Sequence, residues 1–308
     1  MEIQAVVGEM LSLFLILAVG YLGNKMGFLN REATKVLSRI IVNVTLPALI
    51  LASVMGIEEK IAGWNLLILL TVAFLSYGLL GLVAFLTPKA LKAPGETAGV
   101  YAFMAIFGNV AFIGFPIITA VYGSDAVFYA ALFNIPFNLL IFSVGIMMLS
   151  PQGGLKIGKR AFLNPSLAAA VLALILYLLP IEFPRPLVET ASLLGGITVP
   201  GAMLVVGASL GAVPLGEVFR DARVYLVSLI KLIVCPFLIL ACFGPFIRDP
   251  LILGAAVITT AMPVATNTAM LSMEYGGDET LASKGIFIST LLSIATMPLV
   301  IMALKWIV

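Results

Sequence analysis

The sequence predicts an all-α polytopic membrane protein, and three observations lead to this fold class. Of the 308 residues, 62% are hydrophobic and only 10% are charged. The mean hydropathy is +1.17, more than a soluble core requires. Apolar runs of about 20 residues recur along the chain, and about 20 residues let a helix cross the hydrocarbon core of a bilayer. In lipid, only helices and closed barrels satisfy all the hydrogen bonds of the backbone, so runs this long are predicted to be helices.

Charged and Pro/Gly-rich breaks between the apolar runs divide the chain into ten predicted transmembrane helices. Their approximate bounds are 5–23, 34–55, 62–86, 96–121, 124–149, 163–180, 187–213, 221–243, 250–274 and 280–307.

Lysine and arginine residues are distributed unevenly between the two sides of these helices. Loops after odd-numbered helices, with their flanks, hold Lys25, Arg31, Lys35, Arg39, Lys89, Lys92, Lys156, Lys159, Arg160, Arg220, Arg223 and Lys284. The other side holds Lys60, Arg185, Arg248 and Lys305. Because cytoplasmic loops carry the excess of basic residues, we predict cytoplasmic odd-numbered loops and both termini outside.

Composition also narrows the classes of function. The net charge is +2 and the basic residues lie in short loops, so the sequence offers no nucleic-acid footprint. Histidine, the commonest metal ligand and proton switch, is absent, and we expect neither a metal nor a cofactor. Cys235 and Cys242 lie seven residues apart in one apolar segment, where helix packing is the simplest role. No nucleophile with a base is apparent, which disfavours an intramembrane enzyme.

Two short strings recur at the same offset of 153 residues. "YGSD" at 122–125 returns as "YGGD" at 275–278, and "TLP" at 45–47 returns as "TVP" at 198–200. This spacing predicts two five-helix repeats, 1–153 and 154–308, and an odd number of helices makes the second repeat inverted. The alternative is that Tyr-Gly-x-Asp is only a turn that suits the end of a helix.

The fourth and ninth predicted helices each contain residues that disfavour a continuous helix. "FGNVAFIGFP" at 107–116 corresponds to "TAMPVATNTAM" at 260–270. Pro116 and Pro263 each remove a backbone donor, and glycine lowers the resistance to unwinding. Irregular backbone at membrane depth requires surrounding protein or a wet cavity, so a matched pair of broken helices indicates a binding site. A proline kink healed by neighbouring helices is the alternative.

Broken helices place free N–H groups and partial positive charge near the middle of the bilayer, which suits an anion. We predict substrate contacts from the two breaks at Gly108, Asn109, Val110, Pro116, Pro263, Val264 and Ala265. Side-chain and carbonyl oxygens at Thr266, Asn267 and Thr268 are candidates for a coupling-ion site.

Several other polar residues lie inside predicted helices. Lys231 lies in mid-helix, where a lysine costs about 2.5–3.5 kcal/mol. It could hold a substrate carboxylate, neutralise half-helix carbonyls in place of a cation, or extend to the interface. Asn43 interrupts the apolar face of the second helix, and Asn134 and Asn138 lie one turn apart around Pro136. These amides line a cavity or bond between helices, and all three are retained as candidates for substrate contact.

Motifs along nearly the whole chain resemble the auxin efflux carrier family in its short bacterial form. They are "NVTLPALI", "FGNVAFIGFPI", "YGSDAVFYAALFNIPFNLLIFSVG", the Lys231 to Pro236 spacing and "AMPVATNTAM…EYGGDETLAS…STLLSIATMPLV". The resemblance implies a fold similar to that of the sodium/bile-acid symporters. In it, helices 1, 2, 6 and 7 form a scaffold, helices 3–5 and 8–10 form a transport domain, and helices 4 and 9 unwind and cross. It also implies a homodimer in the bacterial inner membrane.

By position, the resemblance places the asparagine that faces the substrate carboxylate at Asn109 and the crossover prolines at Pro116 and Pro263. Plant members carry arginine where this chain has Lys231, so the bidentate fork is lost while the charge is kept.

The expected function is secondary transport of small organic anions by alternating access, and the resemblance implies acids such as malate, malonate or auxin-like acids. The alternatives are a sodium-coupled symporter of larger amphipathic anions and a channel. A sodium or proton co-ion is a possible partner. The membrane potential alone favours anion export by about 2.3 kcal/mol per charge per 100 mV, so efflux requires no co-ion.

Overall fold

A computed structural model describes residues 3–55, 63–150, 165–179, 183–212, 219 and 221–307. Within these ranges, helix is the only regular secondary structure apart from one isolated bridge between Gly108 and Val264. Five of the basic residues used to predict orientation lie outside the described residues, namely Lys60, Lys156, Lys159, Arg160 and Arg220.

Fourteen helical segments account for most of the described part of the chain. They are α1 (Ile3–Lys25), α2 (Arg31–Met55), α3 (Gly63–Ala90), α4 (Gly95–Ile106), α5 (Val110–Tyr122), α6 (Ala126–Phe133), α7 (Ile135–Leu140), α8 (Ile146–Leu149), α9 (Pro165–Leu178), α10 (Arg185–Ala212), α11 (Ala222–Phe243), α12 (Pro250–Thr260), α13 (Asn267–Tyr275) and α14 (Glu279–Ile307). A π-helical turn (Ile141–Gly145) joins α7 to α8.

Five described helices are long and apolar enough to cross a membrane: α2, α3, α10, α11 and α14. A sixth span exists if the segments from Ala126 to Leu149, bent by 43°, count as one. The chain is therefore an integral, polytopic, all-α membrane protein. The ten-helix arrangement with inverted repeats stays a prediction.

Three of the four π-helical turns in the described residues occur just before prolines. The turns Ile41–Thr45, Val110–Gly114 and Ile230–Val234 each end two residues before a proline, at Pro47, Pro116 and Pro236 respectively. A proline lacks the N–H that would bond four residues back, and its ring clashes with that carbonyl. A wider turn accommodates the clash without ending the helix, and such turns are frequent at functional sites. Asn43, Val110 and Lys231 all lie in these turns.

The described helices divide into two compact units. Unit 1 comprises the described parts of Met1–Thr71, Ala111–Ile135 and Phe162–Ala212. Unit 2 comprises the described parts of Val72–Val110, Pro136–Ala161 and Val213–Val308.

Close backbone contact between α1 and the second half of α10 organises unit 1. A Cβ at Gly20 or Gly207 would collide with the backbone carbonyl of Leu204 or Leu17, respectively. In lipid, the hydrophobic effect does not drive helices together, and van der Waals packing does so instead. Small residues favour this packing because they let two backbones approach closely. Helix α9 packs in the same unit against the second half of α2.

Aromatic rings fill the core of unit 2 beside the end of α4. Phe107 packs against Phe103 with ring centroids 4.5 Å apart and against Phe137 at 5.6 Å. Gly99 brings α4 against the carbonyl of Met148, and Gly285 of α14 leaves room for the sulfur of Met104. The end of α4 is therefore held tightly on several sides.

Candidate functional site in unit 2

Helix is interrupted at both places where the sequence disfavours it. Helix α4 ends at Ile106 and α5 begins at Val110, while α12 ends at Thr260 and α13 begins at Asn267. Phe107 has extended backbone angles, with φ −92° and ψ 114°. Both interruptions are almost entirely buried. Buried irregular backbone needs partners for its polar groups, and here the two interruptions supply them to each other.

The two interruptions form a short antiparallel pairing, which we call the paired segments (107–109 and 263–265). The N–H of Asn109 donates to the carbonyl of Pro263 at 2.7 Å. The N–H of Ala265 donates to the carbonyl of Phe107 at 3.1 Å. Gly108 and Val264 therefore lie opposite each other, and their own N–H groups point away from the pairing on opposite sides.

The expectation of free amides at the broken helices is wrong for four residues. The N–H groups of Asn109 and Ala265 are used in the pairing, that of Val110 donates to the carbonyl of Gly108 at 2.9 Å, and that of Val264 donates to the hydroxyl of Ser289 at 3.0 Å. Gly108 differs, because its buried N–H has no hydrogen-bond partner within the described part of the chain. The paired segments thus offer one open amide where several were expected.

A buried ammonium group lies next to this open amide. Lys231 is 1% exposed, and its Nζ donates to the carbonyl of Ile106 at 3.0 Å. Its Cε lies 3.2 Å from the position that a Cβ on Gly108 would occupy. Glycine at position 108 therefore makes room for the lysine. The ammonium group neutralises a carbonyl at the negative end of α4, which was one of its three possible roles, and it does not extend to the interface.

One turn further along α11, Cys235 reaches the preceding carbonyl. Its Sγ donates to the carbonyl of Ala105 at 3.6 Å. Lys231 and Cys235 thus cap two consecutive carbonyls of α4 from one face of α11, consistent with the packing role predicted for this cysteine. The sequence could not show which carbonyls it meets.

Ser289 of α14 was missed by the sequence reasoning. It is fully buried, accepts from the N–H of Val264, and donates to the carbonyl of Ile286 at 3.3 Å. A serine in an apolar helix usually bonds to its own helix, so its type and spacing gave no signal.

The predicted coupling-ion residues follow the second paired segment. The hydroxyl of Thr268 is buried and donates to the carbonyl of Ala265 at 2.6 Å. Thr266 precedes α13 without a side-chain cap, and it is half-buried, as is Asn267. Their oxygens lie along the first turn of α13, and a role as ion ligands stays a prediction.

The predicted asparagines occupy different surroundings. Asn109 belongs to unit 2 and is 3% exposed. Asn138 of unit 2 and Asn134 of unit 1 are also buried, and Asn134 ends α6 at a turn. Asn43 in unit 1 is exposed, and its side chain donates to the carbonyl of Arg39 at 2.8 Å within its own helix.

Pro116 lines a cavity that lies within unit 1. The cavity has a volume of about 470 Å³, and its wall includes Ser53, Pro116, Thr119, Ser124, Ser192 and Gly196. The hydroxyls of Ser53 and Thr119 already donate to carbonyls of their own helices. This volume falls in the range of small-molecule sites.

An integral membrane protein with paired interruptions beside a buried cation has the features of a solute carrier. Comparison with known proteins agrees, because the profile of the family described as membrane transport protein matches residues 5–301. The chain belongs to this family, which confirms the resemblance to auxin efflux carriers.

Relatives of similar length carry transporter names. An "Uncharacterized transporter" of Methanothermobacter thermautotrophicus is 29% identical, over 94% of this chain and 95% of the relative. A protein of Rhizobium meliloti named "Putative malonate transporter" is 26% identical, over 94% of this chain and 93% of the relative. A further "Uncharacterized transporter" of Methanocaldococcus jannaschii is 25% identical, over 94% of this chain and 96% of the relative.

Proposed function

We propose that this protein is a secondary transporter of small organic anions that works by alternating access, with the paired segments as its binding site. The observation that carries the proposal is the open, buried amide of Gly108 beside the buried ammonium of Lys231. Both groups favour negative charge, and Asn109 adds a buried side-chain amide. The malonate named for one relative is a small dicarboxylate, which belongs to the proposed substrate class.

Charge distribution supports an anionic substrate. Among the described residues whose burial is known, Lys231 is the only charged side chain that is buried. A charge inside a membrane protein is costly, so it usually has a partner or a task. One carbonyl offsets only part of that cost, and a substrate carboxylate would supply the opposite charge. We therefore assign Lys231 two roles, capping α4 and attracting the substrate.

The position of the ammonium group favours transport without sodium. The carbonyl end of a broken helix is where a transporter of this kind seats a cation. In this protein a tethered cation already bonds to the carbonyl of Ile106. The alternative is sodium coupling through Thr266, Asn267 and Thr268. Uptake measured with and without a sodium gradient distinguishes sodium-coupled transport from sodium-independent transport.

Packing within unit 1 supports the inverted repeat that alternating access requires. Helices α2 and α10 approach closely at two points, Ile41 with Gly201 and Leu49 with Gly195. With the 153-residue offset of the repeat, Ile41 corresponds to Leu194 and Gly201 corresponds to Ala48. The pair Ala48 and Leu194 lies one residue away, on each helix, from the second contact. A pseudo-two-fold axis relates contacts in this reciprocal way. Thr45 and Thr198, equivalent in the repeat, lie between the two contacts.

The proposal includes a bacterial inner-membrane location, both termini outside and a homodimer packed through the scaffold. Cysteine labelling from each side of the membrane tests the orientation, and mass measurement in nanodiscs tests the dimer.

The decisive experiment is counterflow of radiolabelled malate, malonate and indole-3-acetate in proteoliposomes. We expect at least one acid to exchange, and we expect Asn109→Ala to raise its half-saturation concentration by about tenfold or more, because a hydrogen bond to a charged group contributes about 1.5–3 kcal/mol. Asn65→Ala, the same change at a half-buried position in α3, is the matched control. Wild-type behaviour of Asn109→Ala would refute the site, and single-channel currents would refute a carrier.

A further inference from the structure

A serine of α14 anchors one of the paired segments from the side. The hydroxyl of Ser289 accepts from the N–H of Val264 at 3.0 Å and donates to the carbonyl of Ile286 at 3.3 Å. A hydroxyl has one proton and two lone pairs, so it can do both at once. Ser289 therefore links the backbone of the second paired segment to the backbone of α14.

This link makes the pairing asymmetric. Gly108 and Val264 occupy equivalent positions across the bridge, and their N–H groups point to opposite sides. The hydroxyl of Ser289 accepts a hydrogen bond from the N–H of Val264, whereas the N–H of Gly108 has no partner among the described residues. One side of the pairing is fixed to the protein, and the other side keeps one buried donor.

We propose that Ser289 is a positioning residue. By holding Val264 against α14, it fixes the segment 263–265. The bonds from Asn109 to Pro263 and from Ala265 to Phe107 then set the orientation of the Gly108 amide. The anchor itself stands on geometry alone, while its effect on substrate rests on the proposed function. The site is one-sided and offers a single backbone amide to an anion.

Residue-resolved amide hydrogen exchange on the full-length protein in nanodiscs tests the anchor. A buried N–H that loses its acceptor costs about 1–3 kcal/mol, so Ser289→Ala should speed exchange at Val264 by about 5- to 150-fold. Ser289→Cys keeps a weaker acceptor of similar size and should give an intermediate rate. If the alanine variant fails to fold, Ser289→Cys still tests the anchor.

Ser293→Ala is the matched control. Ser293 lies one turn further along α14, is 1% exposed, and donates to the carbonyl of Thr290 at 2.7 Å. Its hydroxyl makes the same kind of local bond as that of Ser289 but has no bond to the paired segments. Exchange at Val264 should therefore be unchanged in this variant. Equal effects of both alanine variants, or no effect of Ser289→Ala, would overturn the proposal.

Malonate counterflow gives the functional readout. Ser289→Ala should raise the KM for malonate by about fivefold or more, because the hydrogen bond that holds Val264 in place is lost. The maximal rate should stay within about twofold of that of wild type. Ser289→Cys should recover part of the affinity, and Ser293→Ala should match wild type. Faster exchange at Val264 with an unchanged KM would refute the link to the site. If wild-type protein does not exchange malonate, the proposed function fails for that acid while hydrogen exchange still decides the anchor.

Discussion

Replacing Lys231 separates the two roles assigned to its ammonium group. The side chain is 1% exposed and bonds to the carbonyl of Ile106 at 3.0 Å. Lys231→Met keeps the volume and removes the charge. The lost hydrogen bond costs about 1.5–3 kcal/mol. Removing a lysine from the middle of a membrane helix returns about 2.5–3.5 kcal/mol. The two effects nearly cancel, so the variant should fold with stability close to that of wild type.

Substrate binding should respond differently, because nothing offsets the loss of the cation there. An interaction of about 1.5–3 kcal/mol corresponds to about 10- to 150-fold in affinity. Lys231→Met should raise the KM of the transported acid by such a factor in proteoliposome counterflow. Lys89→Met is the matched control, since Lys89 is exposed at the end of α3 and contacts the ring of Phe85.

A smaller substitution tests whether the ammonium group takes the place of a coupling cation. Lys231→Ala removes the side chain that crosses Gly108 and opens the carbonyl of Ile106 to an ion. We expect sodium to stimulate this variant, compared with choline at equal ionic strength, and to leave wild type and Lys231→Met unaffected. If both Lys231 variants keep wild-type affinity and ignore sodium, the ammonium group acts in neither role.

Two glycine substitutions probe the packing. Gly108→Ala would place a Cβ 3.1 Å from the Cβ of Met262 and 3.2 Å from the Cε of Lys231, so we expect weaker substrate binding with little loss of stability, measured by counterflow and by thermal unfolding in detergent. Unchanged binding would show that the lysine shifts at no cost. Gly207→Ala would drive a Cβ into the carbonyl of Leu17, so we expect it to lower the unfolding temperature in detergent by several degrees, and an unchanged temperature would contradict the close approach of α1 and α10.

The sequence predicted the places where helix is interrupted, because proline and glycine act locally. Pro263 lies within the interruption between α12 and α13, and Pro116 follows the π-helical turn of α5, although Pro298 lies within the continuous helix α14. The class of the protein was equally accessible, since hydropathy depends on composition and run length alone.

Hydrogen-bond partners that lie far apart in the sequence could not be predicted from it. The reasoning from half-helix ends assumed that their amides stay free, yet Asn109 and Ala265 pair with carbonyls of the opposite segment. Such pairing depends on two interruptions about 156 residues apart meeting in register, which no local pattern encodes. Ser289 was missed for the same reason, because its second bond joins residues 25 apart in sequence.

These pairings change where the positive potential of the site originates. If all the N–H groups at the breaks were free, an anion would be held mainly by helix ends, and a lysine would be an accessory. With four of those N–H groups used inside the protein, the proposed site depends on the open amide of Gly108, the ammonium group of Lys231 and the side-chain amide of Asn109. In the proposed site, the pairing would hold the Gly108 amide in place, and the Lys231 ammonium group would supply the positive charge that favours an anion.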